Sequence, residues 1–138
     1  MSNAQNEGVG KSMFRAMKTE SDCLPRVGRS SRELGVRVEG SNADIPVRED
    51  GVFEPRTGGI SVALDRAQNL PKPRIPKSLG GEGRDPVFTM NAAQLPFSLA
   101  LRPHNPPHAL VEPSERCSLN EFESNLAKTR PHWSISHE

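Results

Sequence analysis

Apolar and polar residues alternate with a period of two in several short stretches of this chain. In residues 33–38, Leu34, Val36 and Val38 alternate with charged or small residues, and residues 60–64 repeat the pattern. Successive side chains of a strand point to opposite faces, so both stretches predict half-buried strands. Other short apolar stretches between turn residues predict further strands at residues 13–17, 52–53, 87–90, 97–101 and 109–112.

One stretch near the end of the sequence has the spacing of a helix instead. Ser118 and Glu121 form the pattern of a capping box, in which each side chain bonds the other residue's main-chain N–H. Apolar residues follow at helical spacing, and Pro131 predicts the end of the helix. We expect Trp133, two residues after Pro131, to be a core anchor rather than a stacking platform for a ligand.

Residues 70–86 contain four prolines and three glycines. Prolines this close together remove the main-chain hydrogen bonds of a helix or a central strand, so a long irregular loop is predicted. The chain thus reads as several short strands, one C-terminal helix and no alternating βαβ pattern. These elements predict an α+β fold.

Composition narrows the possible organisation and partners. With 138 residues we expect one domain over residues 12–138, preceded by a flexible lead-in at residues 1–11. The formal net charge of +1 gives no strong nucleic-acid footprint. No apolar run approaches the roughly 20 residues that cross a bilayer, and the N-terminus does not read as a secretory signal peptide. The two cysteines, Cys23 and Cys117, are expected to be buried thiols in a reducing compartment rather than a disulfide.

Three segments, in this order, resemble a known family. They are Met13-Phe14-Arg15-Ala16-Met17, the stretch from Gly51 to Val62 with its Thr57-Gly58-Gly59-Ile60-Ser61-Val62 block, and His108-Ala109-Leu110-Val111-Glu112-Pro113. The arrangement is similar to that of the NAD-dependent toxins of type VI secretion systems. The resemblance implies an ADP-ribosyltransferase-like split β-sheet core and NAD as the cofactor. It spans residues 13 to about 130, and the Thr-Gly-Gly-x-Ser-Val block is its most specific part.

The resemblance and the chemistry of NAD together give these positions roles. A dinucleotide pyrophosphate carries two negative charges, so Arg15 is the candidate clamp. Thr57, Gly58 and Gly59 would let the main chain approach nicotinamide or ribose closely, and Ser61 would orient the ribose. The family pattern has a second hydroxyl residue where this chain has Ile60, so one hydrogen-bond donor is missing.

The catalytic candidate, Glu112, comes from the chemistry of the bond rather than from the family pattern. Cleavage of the nicotinamide–ribose bond passes through an oxocarbenium-like transition state, which a nearby carboxylate stabilises. Glu112 ends a predicted strand beside His108, and His108 is a candidate for hydrogen bonding to the substrate.

Each of these residues also has an ordinary structural interpretation. Arg15 could form a surface ion pair on an edge strand, the two glycines could form a hairpin turn, and Ser61 could be a solvated strand residue. His108 could be merely structural or exposed. These alternatives remain open from the sequence alone.

Other motifs are interpreted as structural. Glu121-Phe122-Glu123 copies the Glu-x-Glu of many ADP-ribosyltransferases, but its flanks are helical and we expect Phe122 to be buried. Two prolines between His104 and His108 prevent a helix from aligning their rings, so no metal site is expected. Residues 80–83 lack the lysine of a phosphate-binding loop and predict a flexible connection, from which Arg84 could help hold an anionic ligand.

The leading hypothesis is a bacterial toxin that cleaves the nicotinamide–ribose bond of NAD. It would be cytoplasmic, or exported without a cleaved signal to act in a target-cell cytoplasm on an unknown macromolecule, and a cognate immunity protein would be its partner. One alternative is a non-catalytic protein-interaction module on the same scaffold. Another is an RNA 2′-phosphotransferase-like enzyme, which the absence of a basic patch disfavours.

Overall fold

The computed structural model describes residues 11–39, 43–46 and 48–138, so nearly all of the expected lead-in at residues 1–11 lies outside the described residues. Within the described part of the chain there are eight strands and one α-helix. In chain order they are β1 (Ser12–Ala16), β2 (Val52–Phe53), β3 (Ile60–Leu64), β4 (Val87–Asn91), β5 (Leu99–Pro103), β6 (His108–Pro113), β7 (Cys117–Ser118), α1 (Leu119–Lys128) and β8 (Ser134–Ile135).

Six strands form one sheet in the order β5-β6-β3-β1-β4-β8, and β2 pairs with β7 in a separate two-stranded sheet. The strand pairs of both sheets are antiparallel. The mixed α and β composition and the C-terminal helix therefore agree with the predicted class. The earliest predicted strand, β1, lies between β3 and β4 in the interior of the larger sheet.

Alternation along the strands divides the apolar side chains between two faces of the sheet. Met13 of β1 and Val62 of β3 belong to the main core, which also contains Phe122 and Leu126 of α1. Phe14 and Ala16 of β1 instead pack with Ala63 and other residues in a second, smaller cluster, so they share the other face. A core on one face and a small cluster on the other bury the central strands on both sides.

The predicted helix is confirmed in its start and its burial. Ser118 Oγ accepts a hydrogen bond from the main-chain N–H of Glu121 at 3.1 Å, and the Glu121 carboxylate accepts one from Ser118 N–H at 2.9 Å. As expected, Phe122 is buried and the Glu121-Phe122-Glu123 triplet lies within α1. Trp133 is buried in the main core and donates its indole N–H to Thr129 Oγ1 at 2.9 Å, which confirms its role as an anchor.

The strand predicted at residues 33–38 is wrong. Leu34 and Val36 are buried, so the alternation did report burial, but the segment forms only an isolated bridge between Val27 and Leu34. Its main-chain groups bond to neighbouring loops, as when Leu34 N–H donates to Arg26 O at 2.8 Å. A period of two thus arises here without a neighbouring strand to complete a ladder.

Two other expectations need correction. The strand predicted at residues 97–101 begins only at Leu99, and Phe97 is fully exposed, at 102% of its reference area. Both cysteines are free thiols, but Cys23 is exposed and Cys117 half-buried, so the expectation of two buried thiols is wrong. Across the described ranges, no helix has the length and apolar character needed to cross a membrane.

Candidate functional site

The site is built first around Arg15, which lies on β1 with only 4% of its surface exposed. Its guanidinium donates to main-chain carbonyls, through Nη1 to Ser61 O at 2.9 Å and through Nη2 to Glu33 O at 2.9 Å. Paired residues of β1 and β3 extend only to Phe14 and Ala63. Arg15 therefore joins β3 to the loop around Glu33 just where the strand ladder stops.

The positive charge of Arg15 is poorly compensated. No carboxylate among the described residues lies within ion-pair distance of its guanidinium. The hydrogen-bond acceptors of the guanidinium are main-chain carbonyl oxygens. Burial lowers the pKa of Arg15 to about 10; the nearby cations Arg74 and Arg37 lower it as well, while Asp44 opposes them. The surface ion pair considered for Arg15 is therefore not what forms, and the guanidinium is an interior cation.

Ser61 contributes its main chain, not its hydroxyl, to this contact. Its side chain is exposed on β3, whereas Ile60 and Val62 on either side are buried. In the sheet register Ser61 lies opposite Leu110, and Ala63 lies opposite His108. Ser61, His108 and Glu112 therefore share one face of β3 and β6, because alternate residues of paired strands face the same way. Arg15 lies on the other face, with Met13 of the main core.

Glu112 is a buried carboxylate with its own partner. Arg102 Nε on the neighbouring strand β5 donates to both carboxylate oxygens, at 3.0 and 3.1 Å. The main-chain N–H of Arg56 donates to Oε2 at 2.9 Å. Only 4% of Glu112 is exposed, so Arg102 and the segment at Arg56 cover the carboxylate. The catalytic candidate is thus held in a neutral, fully bonded ion pair.

Gly58 and Gly59 lie very close to main-chain atoms of the protein itself. A Cβ on Gly59 would lie 2.2 Å from Val111 O, and one on Gly58 would lie 2.3 Å from Asp44 O. The hairpin-turn alternative is also wrong, because β2 pairs with β7 and not with β3. Thr57, exposed just before them, donates its hydroxyl to Glu54 O at 2.7 Å. The glycines therefore let the turn pack against residue 44 and β6.

His108 begins β6 and is half-buried. Its ring lies edge-on to that of His104, with centroids 5.9 Å apart, and its Nδ1 lies 3.1 Å from His104 O. No group of three or more histidine, cysteine, aspartate or glutamate residues that could hold a metal ion occurs in the parts of the chain that the structure describes. The ring is positioned by the turn at residues 104–108.

Sequence reasoning missed Arg74. It is one of the charges that act on Arg15, and its own Nη2 donates to the carbonyls of Ala16, at 3.2 Å, and Ser31. Arg74 lies in a short 3-10 turn, Lys72–Arg74, inside the proline-rich loop. An irregular loop has no periodicity, so nothing in the sequence indicated which of its side chains would reach the end of β1.

The predicted site residues therefore fall into two places. Ser61, His108 and Glu112 share a sheet face, whereas Arg15 lies on the opposite face among other arginines.

A scan against models of known protein families and a search of curated proteins both found no match to this chain.

Proposed function

We propose that this chain is an NAD-dependent toxin domain with an ADP-ribosyltransferase-like fold, similar to toxins of type VI secretion systems. Its reaction would be cleavage of the nicotinamide–ribose bond. A cognate immunity protein and an acceptor in a target-cell cytoplasm belong to the same proposal.

One observation carries this proposal. The three segments on which the resemblance depends are separated by 30 or more residues in the sequence, yet they form three adjacent strands. The segment with Arg15 forms β1, the Thr-Gly-Gly-x-Ser-Val segment leads into β3, and the His108 segment forms β6. A resemblance by chance would not require its parts to be neighbours in space. Their adjacency supports a common site at this part of the sheet.

The shared face of β3 and β6 supplies the chemistry. In the reaction the bond between C1′ of the ribose and the nicotinamide nitrogen breaks, and its electron pair leaves with nicotinamide. The Glu112 carboxylate would stabilise the ribosyl cation until water or an acceptor nucleophile attacks C1′. Ser61, exposed on the same face, would bond a ribose hydroxyl. For this, Arg102 must move aside, because it covers Glu112.

Arg15 enters the proposal in a different way. Its bonds to Ser61 O and Glu33 O make it a positioning residue for β3. Its predicted role as a pyrophosphate clamp stays a prediction, because the guanidinium is buried and bonded to the main chain.

The test measures nicotinamide released from NAD by purified protein, together with the shift in melting temperature that NAD causes. We expect wild type to be stabilised by millimolar NAD and to release nicotinamide. Glu112→Gln should lose at least 100-fold in rate, about 2.7 kcal/mol of transition-state stabilisation. Glu115→Gln, an exposed glutamate nearby in the chain, is the matched control and should keep the rate. Neither stabilisation nor release at millimolar NAD would contradict the proposal.

A second candidate is the non-catalytic interaction module, and the closed state of the site favours it. Glu112 is already paired with Arg102, and Gly58 and Gly59 contact the protein's own main chain. Expression in a bacterial cytoplasm separates the two candidates. Growth arrest by wild type but not by a Glu112→Gln variant that accumulates as folded protein supports the enzyme, and equal, harmless growth of both supports the module.

A further inference from the structure

A recess lies beside the end of β1, on the side of the proline-rich loop. Its volume is about 150 Å³, and we call it the arginine recess. That space is large enough to hold several water molecules. The residues that line it are Ala16, Arg32, Pro73, Arg74, Glu82, Gly83, Arg84 and Asp85.

Its arginines differ in how far their charges are compensated. Arg32 is bound to Asp85 by two hydrogen bonds, Nε to Oδ2 at 2.6 Å and Nη2 to Oδ1 at 2.8 Å. Arg74 and Arg84 form no ion pair with any described residue. In addition, Arg74 Nε and Nη1 have no hydrogen-bond partner among the described residues, since only Nη2 is engaged.

Arg74 carries charge that the protein itself leaves unbalanced. Burial lowers the pKa of Arg74; Asp85 raises it, and the neighbouring cations Arg32 and Arg37 lower it further. Arg15, which forms no ion pair with a described carboxylate, lies on β1 next to the lining residue Ala16. Two carboxylates also line the recess, but Asp85 is occupied by Arg32, and Glu82 is exposed.

We infer that the arginine recess is a binding site for a phosphate-bearing anion, with Arg74 and Arg84 as its ligands. A guanidinium presents planar pairs of N–H donors that match two oxygens of a phosphate group. The half-buried Arg74 would bind the anion at the base of the recess, and the exposed Arg84 would close over it. This inference concerns anion binding and stands whether or not the chain cleaves NAD.

The test titrates the protein with inorganic pyrophosphate by isothermal calorimetry at fixed ionic strength. Wild type should bind, and Arg84→Gln should weaken binding about fivefold or more, because a charge-assisted bond is lost. Arg84 has no partner to lose, so this variant should fold normally. Arg66→Gln, an exposed arginine outside the recess, removes the same charge and should bind like wild type. Absence of binding, or equal weakening in both variants, would overturn the inference.

A second variant gives an effect that misfolding cannot imitate. Glu82→Gln removes an unpaired carboxylate from the recess and should strengthen pyrophosphate binding about two- to fivefold. Unchanged or weaker binding in this variant would contradict the inference. Titrations with ADP and NAD then distinguish a nucleotide-borne phosphate from the free anion. If NAD binds and Arg84→Gln binds it equally well, the recess is not its phosphate site, although the proposed function stands.

Discussion

The larger sheet holds two buried charged groups that differ in one respect. Near the β5–β6 edge, Glu112 is matched by Arg102, and every partner of its carboxylate is a cation or an N–H donor. At the end of β1, the buried Arg15 and the half-buried loop residue Arg74 donate to carbonyl oxygens and lie near other arginines. The first group is complete within the protein, whereas the second has excess positive charge.

This difference indicates which region serves the fold and which can serve a ligand. Burying an ion pair costs desolvation but leaves no net charge, so the Glu112 pair is self-sufficient. Burying cations without carboxylates is unfavourable, and the pKa of Arg15, lowered to about 10 chiefly by burial, reports that cost. An anion bound near Arg74 would relieve part of it. The complete pair is therefore a structural element that the proposed catalysis would have to open, and the incomplete cluster is the proposed binding element.

The most damaging change to the comparison is Glu112→Gln, which leaves Arg102 without its carboxylate. We expect the free energy of unfolding to fall by about 3 kcal/mol, because breaking a buried pair strands the remaining charge. Urea denaturation measures it, with Glu115→Gln as the control. If the variant is as stable as wild type, the Glu112–Arg102 pair does not stabilise the fold, and the burial of Glu112 serves another purpose.

Gly59→Ala tests the same region through the main chain. A Cβ there would lie 2.2 Å from Val111 O and 3.1 Å from Glu112 Cα, so β3 and β6 must separate. We expect a loss of about 2 kcal/mol in the free energy of unfolding. Gly51→Ala is the comparison, because it adds only backbone strain, at a φ of +71° and with open space around it. A smaller loss for Gly59→Ala than for Gly51→Ala would contradict the close packing.

The sequence predicted the elements whose signal is a repeating pattern or a contact between residues close together in the chain. Alternation identified β3, and the capping box identified the start of α1, because both patterns depend on neighbours a few residues away. The same alternation failed at residues 33–38, where burial came from loops rather than from a paired strand. Local patterns report which side chains are buried but not which main chain lies beside them.

The candidate site shows the same limit. The three segments that carry the resemblance lie in adjacent strands, but the sequence could not show that Arg15 and Ser61 point to opposite faces. Nor could it show that Arg102, which lies outside the three segments, would cover Glu112. Arg74 reaches β1 through a loop without periodicity. Such contacts depend on tertiary packing and become visible only in the folded chain.

Arg15→Lys tests the incomplete cluster with its charge retained. A lysine ammonium cannot reproduce the planar fork that reaches both Ser61 O and Glu33 O, so a buried carbonyl loses its donor. We expect the free energy of unfolding to fall by about 1–2 kcal/mol, measured by urea denaturation. Arg66→Lys, exposed and outside the cluster, should change it little. Equal stability of Arg15→Lys and wild type would mean that charge, not fork geometry, matters at this position.

The smallest effect concerns Asp85, the carboxylate that compensates Arg32 in the arginine recess. The hydrogen bonds from Arg32 lower the pKa of Asp85 below its ordinary value of 3.8. A carboxylate with a lowered folded-state pKa stabilises the protein above its unfolded pKa, and this contribution is lost as the pH falls through the folded value. Asp85→Asn should therefore cost about 1 kcal/mol or less at neutral pH, a difference that shrinks below about pH 4. Urea denaturation at several pH values measures this difference. A difference independent of pH would mean that the Arg32–Asp85 pair stabilises the fold through packing and not through its charges.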